Sequence, residues 1–108
     1  MSDSTKVLYT YTPYVSHKSG KKYDVYVPNP QTGKLNIVSF GDSNYEDYTI
    51  HKDSKRKEAY LNRHKNDYLN DPLHPGFWSA NLLWNKQTLS DSWYDTLKRY
   101  NLTPTAIS

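Results

Sequence analysis

Residues 22–27, Lys-Tyr-Asp-Val-Tyr-Val, and residues 35–40, Leu-Asn-Ile-Val-Ser-Phe, decide the fold of this chain. Both runs are rich in β-branched and aromatic residues, and the alternation around Val25 and Val27 is typical of a strand with one buried face. The residues between the runs, 28–34, include two Pro and one Gly. Pro cannot donate to a strand ladder and Gly adopts a positive φ at little cost, so both suit a hairpin loop. The stretch therefore predicts a β-hairpin.

Short helices are predicted after the hairpin. Their expected bounds are an N-cap at Asp53 or Ser54 with a helix to about residue 66, an apolar helix over residues 77–84, and an N-cap at Ser90 or Asp91 with a helix through Tyr100. Because the strands precede the helices along the chain, the order predicts a small single α+β domain with a hairpin followed by two or three short helices.

Three segments are expected from these patterns. Residues 1–20 are predicted to be an extended N-terminal arm, residues 21–100 the α+β domain and residues 101–108 a C-terminal tail. An arm rich in Tyr and Thr often becomes ordered only against another chain, although a frayed terminus would have the same composition.

Aromatic residues carry much of the apolar content. The 108 residues include 11 Tyr, 3 Trp and 2 Phe. Large rings can form a hydrophobic core where the aliphatic residues are too few to form one alone. The candidate aromatic core consists of Tyr23, Phe40, Phe77, Trp78, Trp84 and Trp93. The remaining Tyr residues favour a protein that contacts a larger assembly, since Tyr adds contact area and keeps a polar group.

The sequence contains no recognisable catalytic or metal-binding motif. It has no Cys, its four His residues lack the spacing of a helical metal site, and no nucleophile elbow or phosphate-binding loop occurs. No apolar run reaches the length of a membrane span or of a signal-peptide core. We therefore expect a soluble chain that is not an enzyme and takes no cofactor, metal or small-molecule substrate.

Positive charge is concentrated in residues 51–65, which hold six Lys or Arg against two Asp or Glu, whereas the whole chain has a net charge of +3. The candidate anion or partner contacts are Lys52, Lys55, Arg56, Lys57, Arg63, His64 and Lys65. A solvated helix face would look the same. The functional alternatives are nucleic acid, an anionic lipid surface and an acidic partner.

Four stretches and one tryptophan carry a resemblance to a known family: residues 21–34, 38–42, 56–64 and 77–79, together with Trp84. With them the chain resembles, over about residues 21–86, a family of short uncharacterised proteins of large double-stranded DNA viruses of algae and amoebae. Similar stretches occur in marine tailed phages. The resemblance implies a viral origin and a place in the virion, and it supplies no catalytic residue.

The sequence and the resemblance together favour a minor capsid-associated structural protein that bridges or cements capsid subunits through its arm and its aromatic surface. Its expected partners are major and minor capsid proteins in the virion. The alternative is a basic viral protein that binds nucleic-acid phosphates through residues 51–65. The same basic residues also suit genomic nucleic acid or the inner viral membrane surface as further partners.

Overall fold

The computed structural model describes residues 7–66 and 70–107. In chain order, the elements are β1 (Leu8–Tyr9), β2 (Tyr14–Val15), β3 (Lys21–Pro28), β4 (Leu35–Asp42), α1 (Tyr48–His51), α2 (Ser54–Arg63), α3 (Pro75–Trp78), a π-helical segment (Ser79–Leu83), α4 (Leu89–Arg99) and β5 (Ala106–Ile107). The strands form an antiparallel sheet in the order β2-β3-β4 and a separate β1-β5 pair. The predicted α+β class, with a hairpin followed by short helices, is confirmed.

The hairpin of β3 and β4 is the largest element. Val25 lies opposite Val38 in its register, and the loop closes where the Asn29 N–H donates to the Lys34 carbonyl at 2.8 Å. Gly33 has a φ of +73°, a conformation that its missing Cβ permits. The prediction of two strands joined by a Pro- and Gly-containing loop is therefore correct, with each strand slightly longer than expected.

The core lies between the inner face of the hairpin and the segment from α3 through the π-helical segment. Trp78 is fully buried, 6.4 Å from Phe40 and 5.0 Å from Phe77 between ring centroids. Its indole N–H donates to the Pro72 carbonyl at 2.6 Å, so the polar atom of this buried ring has a partner. The other fully or almost fully buried aliphatic residues are Val25, Val27, Val38, Leu82 and Leu83.

The six candidate core aromatics lie at two depths. Phe40, Phe77 and Trp78 are fully buried in the core, whereas Tyr23, Trp84 and Trp93 are partly buried and pack against it. Trp93 also donates its indole N–H to the Tyr11 carbonyl at 2.7 Å and so links α4 to the N-terminal segment.

In the described ranges, the predicted arm and tail pack on the domain instead of extending away from it. β1 pairs with β5, and the Thr10 N–H donates to the Thr105 carbonyl at 2.9 Å. Thr10 is only 3% exposed, and Tyr11 packs against the core. Within residues 7–20, the predicted N-terminal arm contains two short strands, and each pairs with another strand of this chain.

Each of the helices α1 to α4 begins with a capping side chain, and the sequence predicts a cap for two of them, α2 and α4. Asp53 caps α2 by accepting from the N–H groups of Lys55 and Arg56, as predicted. Thr88, not Ser90 or Asp91, caps α4 by accepting from the Asp91 N–H. Across the described ranges, no helix is long and apolar enough to cross a membrane.

Candidate functional site

A cleft of about 560 Å³ separates α2 from the end of the hairpin. Its α2 wall is formed by Arg56, Tyr60, Arg63 and His64, its base by Leu83 and Trp84, and its opposite wall by Lys22 with the loop from Tyr45 to Asp47. The cleft therefore combines three of the seven predicted contact residues with an aromatic base.

Aromatic stacking fixes α2 over this cleft. The Tyr60 ring lies on the Trp84 ring at 4.2 Å between centroids, with only 4° between the ring planes, and His64 lies 4.4 Å from Tyr60. Lys57, Tyr60, Leu61 and His64 are the half-buried residues of α2, at the i, i+3, i+4 and i+7 spacing of one helix face. None of the α2 residues is fully buried. The helix thus lies on the surface of the domain and contacts it through this one face.

The π-helical segment places Leu83 and Trp84 at the base of the cleft. A π-helix displaces the backbone relative to an α-helix and is frequent at functional sites. The Asn81 carbonyl of this segment lies 3.2 Å from the Thr96 hydroxyl, which is also within 2.8 Å of the Ser92 carbonyl in α4. Arg99 donates to the Asn81 side-chain oxygen at 2.6 Å, and α4 thereby holds the segment in place.

Two of the seven predicted contact residues take part in packing within the domain. The Lys57 ammonium donates to the Asn85 carbonyl at 2.6 Å and lies 4.9 Å above the Tyr48 ring. Lys52 donates to the Thr49 carbonyl at 2.9 Å, at the C-terminus of α1. Lys57 is thus half-buried and held by contacts within the domain, whereas Lys52 stays exposed.

The cleft itself is close to neutral. The Lys22 ammonium is paired with the buried Asp47 carboxylate at 2.5 Å, and Arg56 lies 3.5 Å from Glu46. Asp42 adds a further negative charge to the lining. A neutral cleft does not concentrate phosphate groups as a basic groove does.

Several of the predicted contact residues on α2 or just after it are exposed cations. Lys55, Arg63 and Lys65 are exposed, and in residues 7–66 and 70–107 no carboxylate forms an ion pair with them. His64 is half-buried beside Tyr60. Of the predicted contact residues, Arg56, Arg63 and His64 therefore line the cleft. The exposed ones without a pairing acid among those ranges are Lys52, Lys55, Arg63 and Lys65.

A second candidate surface is the outer face of the three-stranded sheet, here defined by Tyr14, Tyr26, Leu35 and Ile37. Leu35 is 42% exposed and Ile37 is 49% exposed, and the Tyr14 and Tyr26 rings lie edge to face at 6.5 Å. The residues of this surface are not among the contact residues predicted from the sequence. Its signal was present, because the alternation that buries Val25 and Val27 places Tyr26 on the opposite face.

A polar cluster occupies the covered end of the same outer face. The buried Asp24 carboxylate accepts from the Ser16 hydroxyl at 2.6 Å and from the Ser39 hydroxyl at 2.7 Å, and it also accepts from the His17 N–H and ring. Burial by itself raises the pKa of the Asp24 carboxyl, but these hydrogen bonds outweigh it and lower the pKa to about 2.

This cluster resembles a catalytic triad in composition only. In a triad, the serine hydroxyl is bonded to the histidine ring, which acts as its base. Here both hydroxyls donate to Asp24, and His17 is bonded to the same carboxylate through Nδ1. The arrangement fixes the turn after β2 to β3 and β4, and it activates no nucleophile. The described ranges also contain no group of three His, Cys, Asp or Glu residues placed to hold a metal ion.

The chain was compared with known proteins. No curated protein and no solved structure matches it. A family model matches part of the chain, and the match includes residues 21–64 of the stretch that carries the expected resemblance. The description of this family gives no indication of a viral origin. It covers β2, the hairpin, α1 and α2, and so includes the outer face of the sheet and the α2 wall of the cleft. Residues 12–64 match the model of a family of unknown function (DUF5754).

Proposed function

We propose that this protein is a non-enzymatic structural protein that attaches to a larger protein assembly through the outer face of its sheet. In its specific form, the proposal is a minor capsid-associated protein of a large double-stranded DNA virus, located in the virion and in contact with major and minor capsid proteins. The resemblance of residues 21–86 supports the viral assignment, and the surface of the domain supports the structural role.

The exposed apolar side chains around the sheet carry the proposal. Leu35 and Ile37 are about half exposed on the outer face, and the half-buried Tyr26 lies opposite Ile37 on the same face. Removing such side chains from water is favourable at about 25 cal/mol per Å² of apolar surface. Contiguous apolar patches on a small domain commonly mark a surface that a protein partner covers.

Charge on α2 gives less support to the nucleic-acid alternative. Lys52 and Lys57 bond to backbone carbonyls within the domain, and Arg56 lies beside Glu46. Residues 51–65 are positively charged in the sequence, but only some of these charges form a positive surface in the folded protein. The exposed Lys55, Arg63 and Lys65 are the observation that keeps nucleic acid as the second candidate.

Quantitative mass spectrometry of purified, nuclease-treated and salt-washed virus particles tests the structural role. We expect many copies per particle, retained through high salt, because apolar contacts are not screened by ions. Absence from the particles, or release together with the genome, would overturn the proposal.

The second candidate requires a separate binding measurement with duplex and single-stranded nucleic acid. If it holds, the affinity falls steeply with salt and the variant Lys55→Glu/Arg63→Glu/Lys65→Glu no longer binds. The matched control is Lys18→Glu/Lys21→Glu/Lys98→Glu, which makes the same charge change at exposed positions away from α2. Equal binding by the two triple variants would remove α2 as a nucleic-acid contact.

A further inference from the structure

We infer that a second copy of this chain pairs with β4 along its open edge, in an antiparallel and two-fold symmetric arrangement centred on Val38. This inference rests on the proposed structural role, for which it names one partner. It follows from the hydrogen-bonding direction of β4, from the composition of its edge and from the position of two opposite charges.

Alternate residues of β4 direct their backbone groups away from β3. The bond from the Asn29 N–H to the Lys34 carbonyl shows that even-numbered residues of this strand face β3. By the alternation of an antiparallel ladder, the N–H and C=O groups of Leu35, Ile37 and Ser39 then point to the open edge. In the described ranges, no strand pairs with that edge, since the sheet order is β2-β3-β4.

The central part of the edge, residues 35–40, lacks the features that usually prevent strand addition. Proteins commonly protect an exposed edge with charged residues, with Pro or with a bulge. Residues 35–40 contain no charged residue, no Pro and no Gly, and Leu35 and Ile37 are exposed. Such an edge is a template for another strand, and a second copy of β4 offers the same open groups in the same spacing.

The direction of the backbone groups restricts the register. An antiparallel pair requires outward-facing residues of one strand to meet outward-facing residues of the other, so a shift by one residue is excluded. Centring on Val38 places Ile37 opposite Ser39 of the second copy, and the symmetric contact repeats this pair. Four N–H to C=O bonds then form around the two-fold axis.

Charge complementarity selects this register over its neighbours. Pairing about Val38 places Lys34 opposite Asp42 of the second copy at both ends of the contact, and both residues are exposed. A shift by two residues would place Lys34 opposite Phe40 or Asn44 and lose both ion pairs. Opposite charges directly across two strands stabilise their pairing, and like charges destabilise it.

The resulting dimer has a continuous sheet of six strands and leaves its outer face available. Ile37 becomes the diagonal neighbour of Ile37 of the second copy, while Tyr26 and Tyr14 continue the face toward each outer edge. Self-association at β4 and attachment of a larger partner to the outer face are therefore compatible.

A charge-swap experiment tests the inference on the full chain by sedimentation velocity and native mass spectrometry. Lys34→Asp places two acids opposite each other at both ends of a homodimer, and Asp42→Lys does the same with two bases. We expect each variant alone to dimerise about tenfold more weakly than the wild type. An equimolar mixture should form a heterodimer, since each altered residue then faces an opposite charge.

Two further variants separate edge pairing from general charge effects. Ile37→Lys places a charge in the middle of the edge and should abolish dimerisation, with circular dichroism used to establish that it is folded. Lys98→Asp makes the same change of charge as Lys34→Asp on exposed α4 and should leave dimerisation unchanged.

A wild-type chain that stays monomeric at high concentration would overturn the inference, as would a mixture that dimerises no better than the single variants. These outcomes are distinguishable from failure of the proposed function. A monomer found in salt-washed particles would refute the dimer alone, and a dimer absent from particles would refute the structural role alone.

Discussion

Replacing Asp24 by Asn removes a buried negative charge from β3. Hydrogen bonds to this carboxylate connect β3 with β4 and with the turn after β2. Asp24 is only 4% exposed and accepts hydrogen bonds from Ser16 before β3, from Ser39 on β4 and from the adjacent His17. A carboxylate that accepts several hydrogen bonds is strongly favoured in its charged form. We therefore expect Asp24→Asn to lower the free energy of unfolding at neutral pH.

The pKa of Asp24 sets the magnitude and the pH range of this effect. It is about 2 in the folded protein, against an ordinary value of 3.8. At about 1.4 kcal/mol for each pH unit, the difference corresponds to about 2 kcal/mol of stability. Because the pKa is lowered on folding, this stability is fully present above about pH 5 and is lost mainly as the pH falls from about 4 to about 2.

Urea unfolding of the wild type and Asp24→Asn, at a series of pH values from about 7 to about 2, measures both quantities. The wild type should be more stable by about 2 kcal/mol at neutral pH, and the difference should shrink below about pH 4. Glu58→Gln, at an exposed position on α2, is the control for loss of a surface carboxylate and should leave the free energy of unfolding nearly unchanged. A difference between the wild type and Asp24→Asn that stays constant with pH would refute the reasoning.

Three further substitutions should destabilise the fold for separate reasons, each measured by urea unfolding. Gly41→Ala should cost about 2 kcal/mol, because Gly41 has a φ of +81° and an added Cβ would lie 2.8 Å from Leu83 Cδ1. Thr88→Ala should cost about 1 kcal/mol by removing the N-cap of α4. Trp93→Phe should cost about 1 kcal/mol, because the Tyr11 carbonyl loses its indole donor. Wild-type stability in any one variant would show that its contact contributes nothing measurable.

Local patterns were sufficient to predict the hairpin and α2. Alternation around Val25 and Val27 identified the buried face, and Asp53 identified the start of α2, because each signal lies within a few residues of the structure that it predicts. The start of α4 was wrong for a local reason. Thr88, Ser90 and Asp91 can all cap a helix, and the sequence does not show which side chain accepts the N–H.

Contacts between distant segments could not be predicted in this way. The pairing of β1 with β5 depends on Thr10 meeting Thr105, whose two hydroxyls lie 3.2 Å apart. No periodicity within either segment indicates that partner. The burial of Asp24 was missed for the same reason, since it depends on the turn at Ser16 and His17 folding over the outer face.

The candidate site shows why charge counted along a sequence is a poor measure of charged surface. Residues 51–65 carry the positive excess of the chain, yet Lys57 lies over an aromatic ring and donates to a carbonyl, and Arg56 lies beside Glu46. A polyanion would meet only part of the charge that the sequence contains. Leu35 and Ile37, in contrast, remain about half exposed on β4, an edge strand of the three-stranded sheet. Since exposed apolar strand edges favour protein contacts, the fold supports an assembly role more strongly than the composition alone.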